Sequence, residues 1–216
     1  MKIITKIKVK NFKRFKNSEI FFNEALNIMI GDNESGKSSI LQAIDIVISG
    51  SKTKVDNFGI ESIFNASIIE DYMKNSKKYS ELPELYIEIY LNEQNNFKLN
   101  GENNSDKICC DGLSFICKAN DDYSEEIKDI LSQDDVCFPF EYYSVKFQTF
   151  SGQSYTGYSK FLKKIFIDNS TINNEYAARE YIKDVYNKHV SPKQKAKYDN
   201  EYRRTKANYV NNIFCF

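Results

Sequence analysis

No run of about 18 apolar residues occurs anywhere in this 216-residue chain, so nothing in it reads as a membrane-spanning helix. Its opening, MKIITKIKVKNFKRF, alternates lysine with apolar residues and lacks the unbroken apolar core and small-residue cleavage site of a secretory signal. The expected location is the cytoplasm. Net charge is absent too, because 30 Lys and Arg balance 30 Asp and Glu. No global field draws the chain to nucleic acid or an anionic membrane, and any such contact needs a local patch. His189 is the one histidine, and the five cysteines, Cys109, Cys110, Cys117, Cys137 and Cys215, are odd in number and show no CxxC spacing. That set argues against a zinc site, and buried reduced thiols are the expectation. Glycine and proline are scarce, at 8 and 3, while 41% hydrophobic and 28% charged residues sit near globular averages. The length suits one sizeable core, with or without a small appendage.

What is present falls into periodic stretches. From Lys6 to Lys10, lysines alternate with Ile7 and Val9, the period of a strand with one buried face. A turn at Lys16-Asn17-Ser18 and the apolar Ile20 to Phe22 suggest a hairpin. Leu26 to Ile30 reads as a short buried strand running directly into Gly31, and Ile40 to Ile48 as a helix enclosed on most sides and stopped by Gly50. A short helix near Ile60 to Phe64 is followed by a polar, lysine-rich stretch. Strand alternation returns at Leu85 to Leu91, continues at Phe97 and Leu99, and recurs over 108–118 and at Tyr143, Val145 and Phe147, with Asn-rich turns between and a short amphipathic helix over Ser124 to Leu131. The middle of the chain is therefore expected to be mostly antiparallel β. From Thr171 onward the spacing becomes helical at Ala178, Ile182 and Val185, and Ser191-Pro192 has the form of a helix N-cap followed by proline.

The chemistry is concentrated in one place. Gly31-x-x-x-x-Gly36-Lys37-Ser38 has the spacing of a phosphate-binding P-loop. Gly31 and Gly36 let the backbone turn so that its amides converge on phosphate oxygens. Lys37 reaches the β- and γ-phosphates, the Ser38 hydroxyl ligates Mg²⁺, and the helix that follows presents the positive end of its dipole. The candidate nucleotide-binding set is Gly31, Asp32, Asn33, Glu34, Ser35, Gly36, Lys37, Ser38 and Ser39. ATP and Mg²⁺ are the expected ligands. Hydrolysis also needs an acid at the end of a later apolar strand. Asp168 in KKIFIDNS follows an apolar run but lacks a partner acid, and the acids of SQDDVCF precede their apolar residues. Catalytic residues therefore stay unassigned.

The stretches KIKVKNFKRFKNSEIFF and LNIMIGDNESGKSSILQAIDIVISG resemble the ABC-type ATPase heads of the RecF, SMC and OLD (overcoming lysogenisation defect) proteins. Asn11-Phe12-Lys13-Arg14-Phe15 looks like the signature that ends the first strand of those heads, and Asn33 like their loop asparagine. YYSVKFQTFSGQSYTGY and IDNSTINNEYAAREYI also look like the OLD family of ATP-dependent endonucleases. The resemblance implies an α/β fold with α+β character: a P-loop NTPase, the N-terminal lobe of an ABC-type ATPase with an antiparallel β layer, over residues 1–170. Helices over 171–216 would begin a dimerisation or arm region. It further implies that Arg14 or Lys13 approaches the nucleotide and that Gln148 or Gln153 is the Q-loop glutamine. ATP would be sandwiched in a homodimer, formed through the ATP face or the C-terminal helices, and the complete protein would act on DNA. The Walker B acid pair, the signature motif, the switch histidine and the Toprim nuclease region of that family are not found. The expectation is an N-terminal portion of a larger protein that binds ATP-Mg with little or no turnover.

Two other readings stand beside it: a self-sufficient small P-loop NTPase or kinase, and a non-catalytic module in which ATP controls partner binding. The base-recognition motif of GTPases and the lid arginines of small kinases are missing. The seven basic residues between Lys188 and Lys206 read as a solvated helix face, with a DNA-guiding face as the alternative. His189 is expected to interact with the terminal carbonyls of a helix.

Overall fold

The computed structural model describes residues 3–33, 35–132, 137–159 and 161–162, with Ile182, Tyr186, Val190, Ser191 and Gln194. The chain divides into two compact units, residues 1–163 and 164–216. In the second, Ser191 and Gln194 form a reciprocal cap: the Gln194 amide donates to Ser191 Oγ at 3.4 Å and the Ser191 amide to Gln194 Oε1 at 3.0 Å. The other features expected there, including Asp168, His189, Cys215 and the basic segment, lie outside the described residues.

The first unit is built on an antiparallel sheet. Its strands are β1 (Ile4–Phe12), β2 (Phe15–Phe21), β3 (Leu85–Leu91), the two-residue β4 (Asn100–Gly101), β5 (Cys110–Ala119) and β6 (Tyr143–Thr149). β1 lies between β2 and β3, β3 between β1 and β5, and both β4 and β6 pair with β5. Register sorts the side chains. Val9, Ile87, Phe115 and Phe147 stand opposite one another across four strands and form one apolar row. The neighbouring row on that face is Ile7, Ile89, Leu113 and Thr149. Ile7, Ile87, Ile89 and Phe115 are fully buried, each worth about 1.5–3 kcal/mol in transfer from water. The other face carries the alternate residues, among them Lys8, Glu88, Ser114 and Gln148.

Helix α1 (Lys37–Ser49) packs on the apolar face through Ile40, Ala43, Ile46 and Val47. It is less enclosed than its sequence suggests, since Leu41 is 46% exposed. The sheet covers one side only, and the buried Asp45 pairs with Lys54 of α2 (Lys52–Phe58). Gly50, at φ 56°, closes α1 as expected. Helices α3 (Ile60–Ile63) and α4 (Ala66–Asn75) follow. Neither α2 nor α4 was expected from periodicity, although each has a readable start: Ser51 Oγ accepts from the Lys54 amide and Asn65 Oδ1 from the Ile68 amide. Helix α5 (Ser124–Leu131) occupies the span expected for it.

Three local expectations are corrected. The β1–β2 hairpin exists, but it turns at Lys13-Arg14, with Phe12 opposite Phe15, and Lys16 to Ser18 lie inside β2. The turn is possible because Asn11 and Lys13 adopt positive φ, 57° and 48°. Phe97 is not in a strand and is 78% exposed; it belongs to the long excursion between β3 and β5. Leu26 to Ile30 is not a buried strand either. Leu26, Ile28 and Ile30 are 70%, 71% and 90% exposed, and none of the described strands pairs with them. A strand apolar on both faces needs ladders and layers on both sides, and the antiparallel sheet supplies neither here.

Candidate nucleotide-binding site

The P-loop follows β2 after the 22–30 segment and packs against the tip of the β1–β2 hairpin. Asn11, buried and at positive φ, donates through Nδ2 to the Glu84 carbonyl at 2.7 Å, and its own carbonyl accepts from the Asn65 amide at 3.0 Å. The Lys13 amide donates to the Ile63 carbonyl at 2.8 Å. Phe12 is fully buried. These bonds pin the tip to α3 and α4, and burial lowers the Lys13 pKa. Arg14 and Phe15 are thereby fixed against Gly36: a β-carbon built on Gly36 would lie 2.5 Å from Phe15 Cζ and 2.8 Å from Arg14 Cδ. Gly36 also has φ 96°, a conformation that L-residues rarely adopt. Both its backbone and its surroundings demand glycine.

Past Gly36 the chain enters α1. The Ile40 amide makes the first helical bond, to the Gly36 carbonyl at 3.0 Å, and no side chain caps the helix. The amides of Lys37, Ser38 and Ser39 therefore precede the helical ladder, at the positive end of a 13-residue helix. Lys37 folds back over the loop. Its ammonium donates to the Gly31 and Asp32 carbonyls, each at 2.7 Å, and to Ser35 Oγ at 3.1 Å. The Ser35 amide closes a turn onto the Asp32 carbonyl at 3.1 Å. Asp32, Asn33, Ser35 and Ser38 are exposed, and Ser39 is half-buried. Glu34 lies outside the described residues. The structure thus brings Gly31, Ser35, Gly36, Lys37 and Arg14 together around one cradle whose lip is open.

Gln148 and Gln153 are placed elsewhere. Tyr155 packs against Phe147 with the rings tilted by 58° and 5.7 Å between centroids, and its hydroxyl donates to the Val47 carbonyl at 2.7 Å. A β-carbon on Gly50 would meet Tyr155 and Thr156 at 2.9 Å. The 148–157 segment therefore sits at the C-terminal end of α1, a helix about 20 Å long with the P-loop at its other end. Gln148 also faces away from α1. The described structure brings neither glutamine to the loop.

Among the described residues, no group of three or more His, Cys, Asp or Glu side chains is placed to hold a metal ion. No described helix is long and apolar enough to cross a membrane. The thiols depart from expectation. Cys117 is buried, with its pKa pushed up to about 12, but Cys109 and Cys137 are exposed and Cys110 is intermediate. Cys109 and Cys137 lie outside the regular strands, where period-two burial does not apply.

An antiparallel β layer, a glycine-bounded loop and a helix receiving that loop define a P-loop ATPase lobe of the ABC type. The chain belongs to the AAA ATPase domain family AAA_15, whose profile matches residues 1–213. It is 46% identical over 50 residues to a DNA double-strand break repair Rad50 ATPase of Thermoplasma acidophilum, covering 23% of this chain and 6% of that protein. A DNA replication and repair protein RecF of Oenococcus oeni is 33% identical over 54 residues, covering 25% of this chain and 14% of that protein. A structural maintenance of chromosomes protein 3 homolog of Plasmodium falciparum is 33% identical over 108 residues, covering 43% and 9%. The chain thus spans a small fraction of the length of these relatives. A solved structure from work on ATP-driven dimerization and DNA stimulated activation of SMC ATPases aligns with a TM-score of 0.35 and 24% identity, over 60% of this chain and 77% of its own.

Proposed function

We propose that this chain is the ATP-binding portion of a RecF/Rad50/SMC-type ATPase whose complete form couples ATP binding and hydrolysis to work on DNA. The observation that carries the reading is the clasp of Lys37 on Gly31, Asp32 and Ser35 beside the uncapped start of α1. Those three oxygens stand in for phosphate oxygens: a bound triphosphate would take over the ammonium, and the amides of Lys37 to Ser39 would meet the same anion. Ser38, at the open lip, would hold Mg²⁺ together with phosphate oxygens. Arg14, held beside Gly36, would reach the nucleotide from the hairpin.

The same reading gives the exposed Leu26, Ile28 and Ile30 a purpose. They would be covered by the strands that complete the head, which would also carry the acids for hydrolysis. The much greater length of the Rad50, RecF and SMC relatives supports this. Within the class, an OLD-type endonuclease is the finer assignment, favoured by the motifs over 142–158 and 167–182, and a homodimer through the ATP face or the 171–216 region is its expected assembly.

Calorimetric titration with ATP-Mg, paired with a steady-state ATPase assay, tests the reading. Binding that Lys37→Ala abolishes, with turnover far below 1 s⁻¹, is the expected result. Lysine-dependent turnover near 1 s⁻¹ or faster would sink the half-site reading in favour of a self-sufficient enzyme.

A further inference from the structure

The sheet face opposite α1 holds a cleft of about 630 Å³, within the range of small-molecule sites. Its floor is set by register. Lys8, Glu88, Ser114 and Gln148 form one cross-strand row, and Lys10, Tyr86 and Ile116 the next. One wall is the 103–107 segment, which is fastened down. Asp106 accepts from Lys6 at 2.7 Å and from Lys8, while Ser105 donates to Glu88 through its amide at 2.8 Å and its hydroxyl at 2.7 Å. Tyr90 adds a further bond to Glu88 at 2.9 Å.

This fastening decides the electrostatics. The carboxylates of Asp106 and Glu88 are both engaged within the protein, and two of the nearby ammonium groups, Lys6 and Lys8, are consumed with them. Lys10 and Lys107 are left over. Among the described residues neither forms an ion pair, and the Lys10 ammonium lies over the Tyr86 ring at 5.7 Å from its centroid, a contact that leaves its N–H groups without an acceptor. The side-chain amides of Asn17 and Gln148 line the same cleft, and neither has a hydrogen-bonding partner among the described residues. Two cations without a carboxylate partner and two unpaired amides around one concavity call for an anion. Glu19, Glu88 and Asp106 on the same face oppose a long polyanion, so the occupant is small.

We propose that this cleft is a second anion site, separate from the P-loop, that binds a small phosphorylated molecule through Lys10 and Lys107, with Asn17 and Gln148 orienting it. The probe is pyrophosphate, titrated calorimetrically into the Lys37→Ala chain so that the P-loop does not contribute. Binding that weakens at least tenfold on Lys10→Gln with Lys107→Asn, and that falls with added salt, is expected. Asparagine is chosen because Lys107 has φ 54°, which Asn tolerates. Equal thermal melts of the two chains check that the fold is intact. Absence of pyrophosphate binding to the Lys37→Ala chain overturns the proposal, as does binding indifferent to both lysines. A short DNA duplex that binds through these lysines while pyrophosphate does not would likewise overturn it, and would make the face a nucleic-acid surface.

Discussion

The ring of Phe15 occupies the space into which a side chain on Gly36 would grow, its Cζ lying 2.5 Å from the position of a β-carbon there. The hairpin tip and the P-loop are thus in direct contact. An aromatic residue two positions beyond Lys13 sets the place of a glycine that follows it by 21 residues in sequence.

Gly36→Ala should therefore fail in two ways, through a positive φ costing about 1–3 kcal/mol and through contact with Phe15 and Arg14. Gly59 provides the contrast: it has φ 78°, but nothing lies within 4 Å of its β-carbon position. Gly36→Ala is expected to weaken ATP binding at least tenfold by calorimetry, whereas Gly59→Ala lowers the melting temperature and leaves ATP affinity unchanged. Equal effects of the two substitutions on ATP affinity would refute the contact argument.

The Asp106 clamp predicts an acid dependence. Hydrogen bonds from Lys6 and Lys8 hold the Asp106 carboxyl down at about 2, against 3.8 unperturbed. A depressed folded-state value means that the stabilisation is fully present above about pH 4 and is lost as pH falls towards 2. The gap in melting temperature between the wild-type chain and Asp106→Asn should stay constant from pH 7 to about 4 and close below it. A gap that is the same at pH 7 and pH 2 would show that the ionised carboxylate contributes nothing.

The thiols should separate by burial. Cys117 is buried and its pKa is pushed up to about 12 by loss of solvation, so the native chain holds it as an unreactive thiol. Cys109 and Cys137 are exposed. Brief iodoacetamide treatment at pH 8 followed by peptide mass mapping should label Cys109 and Cys137 first, and Cys117 only after unfolding. Labelling of Cys117 in the native chain would contradict the packing of β5 against β3 and β6.

Much of the β layer was legible because period-two alternation is a local property. Leu85 to Leu91 and Tyr143 to Phe147 announce their buried faces without reference to any partner. The P-loop was legible for a related reason, since each of its roles requires a particular residue type at a fixed spacing. Helices α2 and α4 were hidden, because their apolar positions are few and only the caps at Ser51 and Asn65 marked them. The hairpin turns three residues before the Lys16-Asn17-Ser18 stretch, since Lys13 takes a backbone conformation usually left to glycine or asparagine. Its amide bond to Ile63, which helps to hold that conformation, spans 50 positions and leaves no local trace.

The amino-acid sequence by itself determined the glycine-bounded P-loop and the alternating strands, because spacing and periodicity carry them, and the ATPase family follows from the match over residues 1–213. Tertiary structure alone decided which side chains meet. Register across four strands set Lys8, Glu88, Ser114 and Gln148 in one row, and packing put Phe15 and Arg14 on Gly36. It also put the segment with Gln148 and Gln153 at the end of α1 remote from the loop, and left Leu26, Ile28 and Ile30 in solvent. An apolar run states only that it can be buried; whether a neighbouring strand is there to bury it is a property of the assembled sheet.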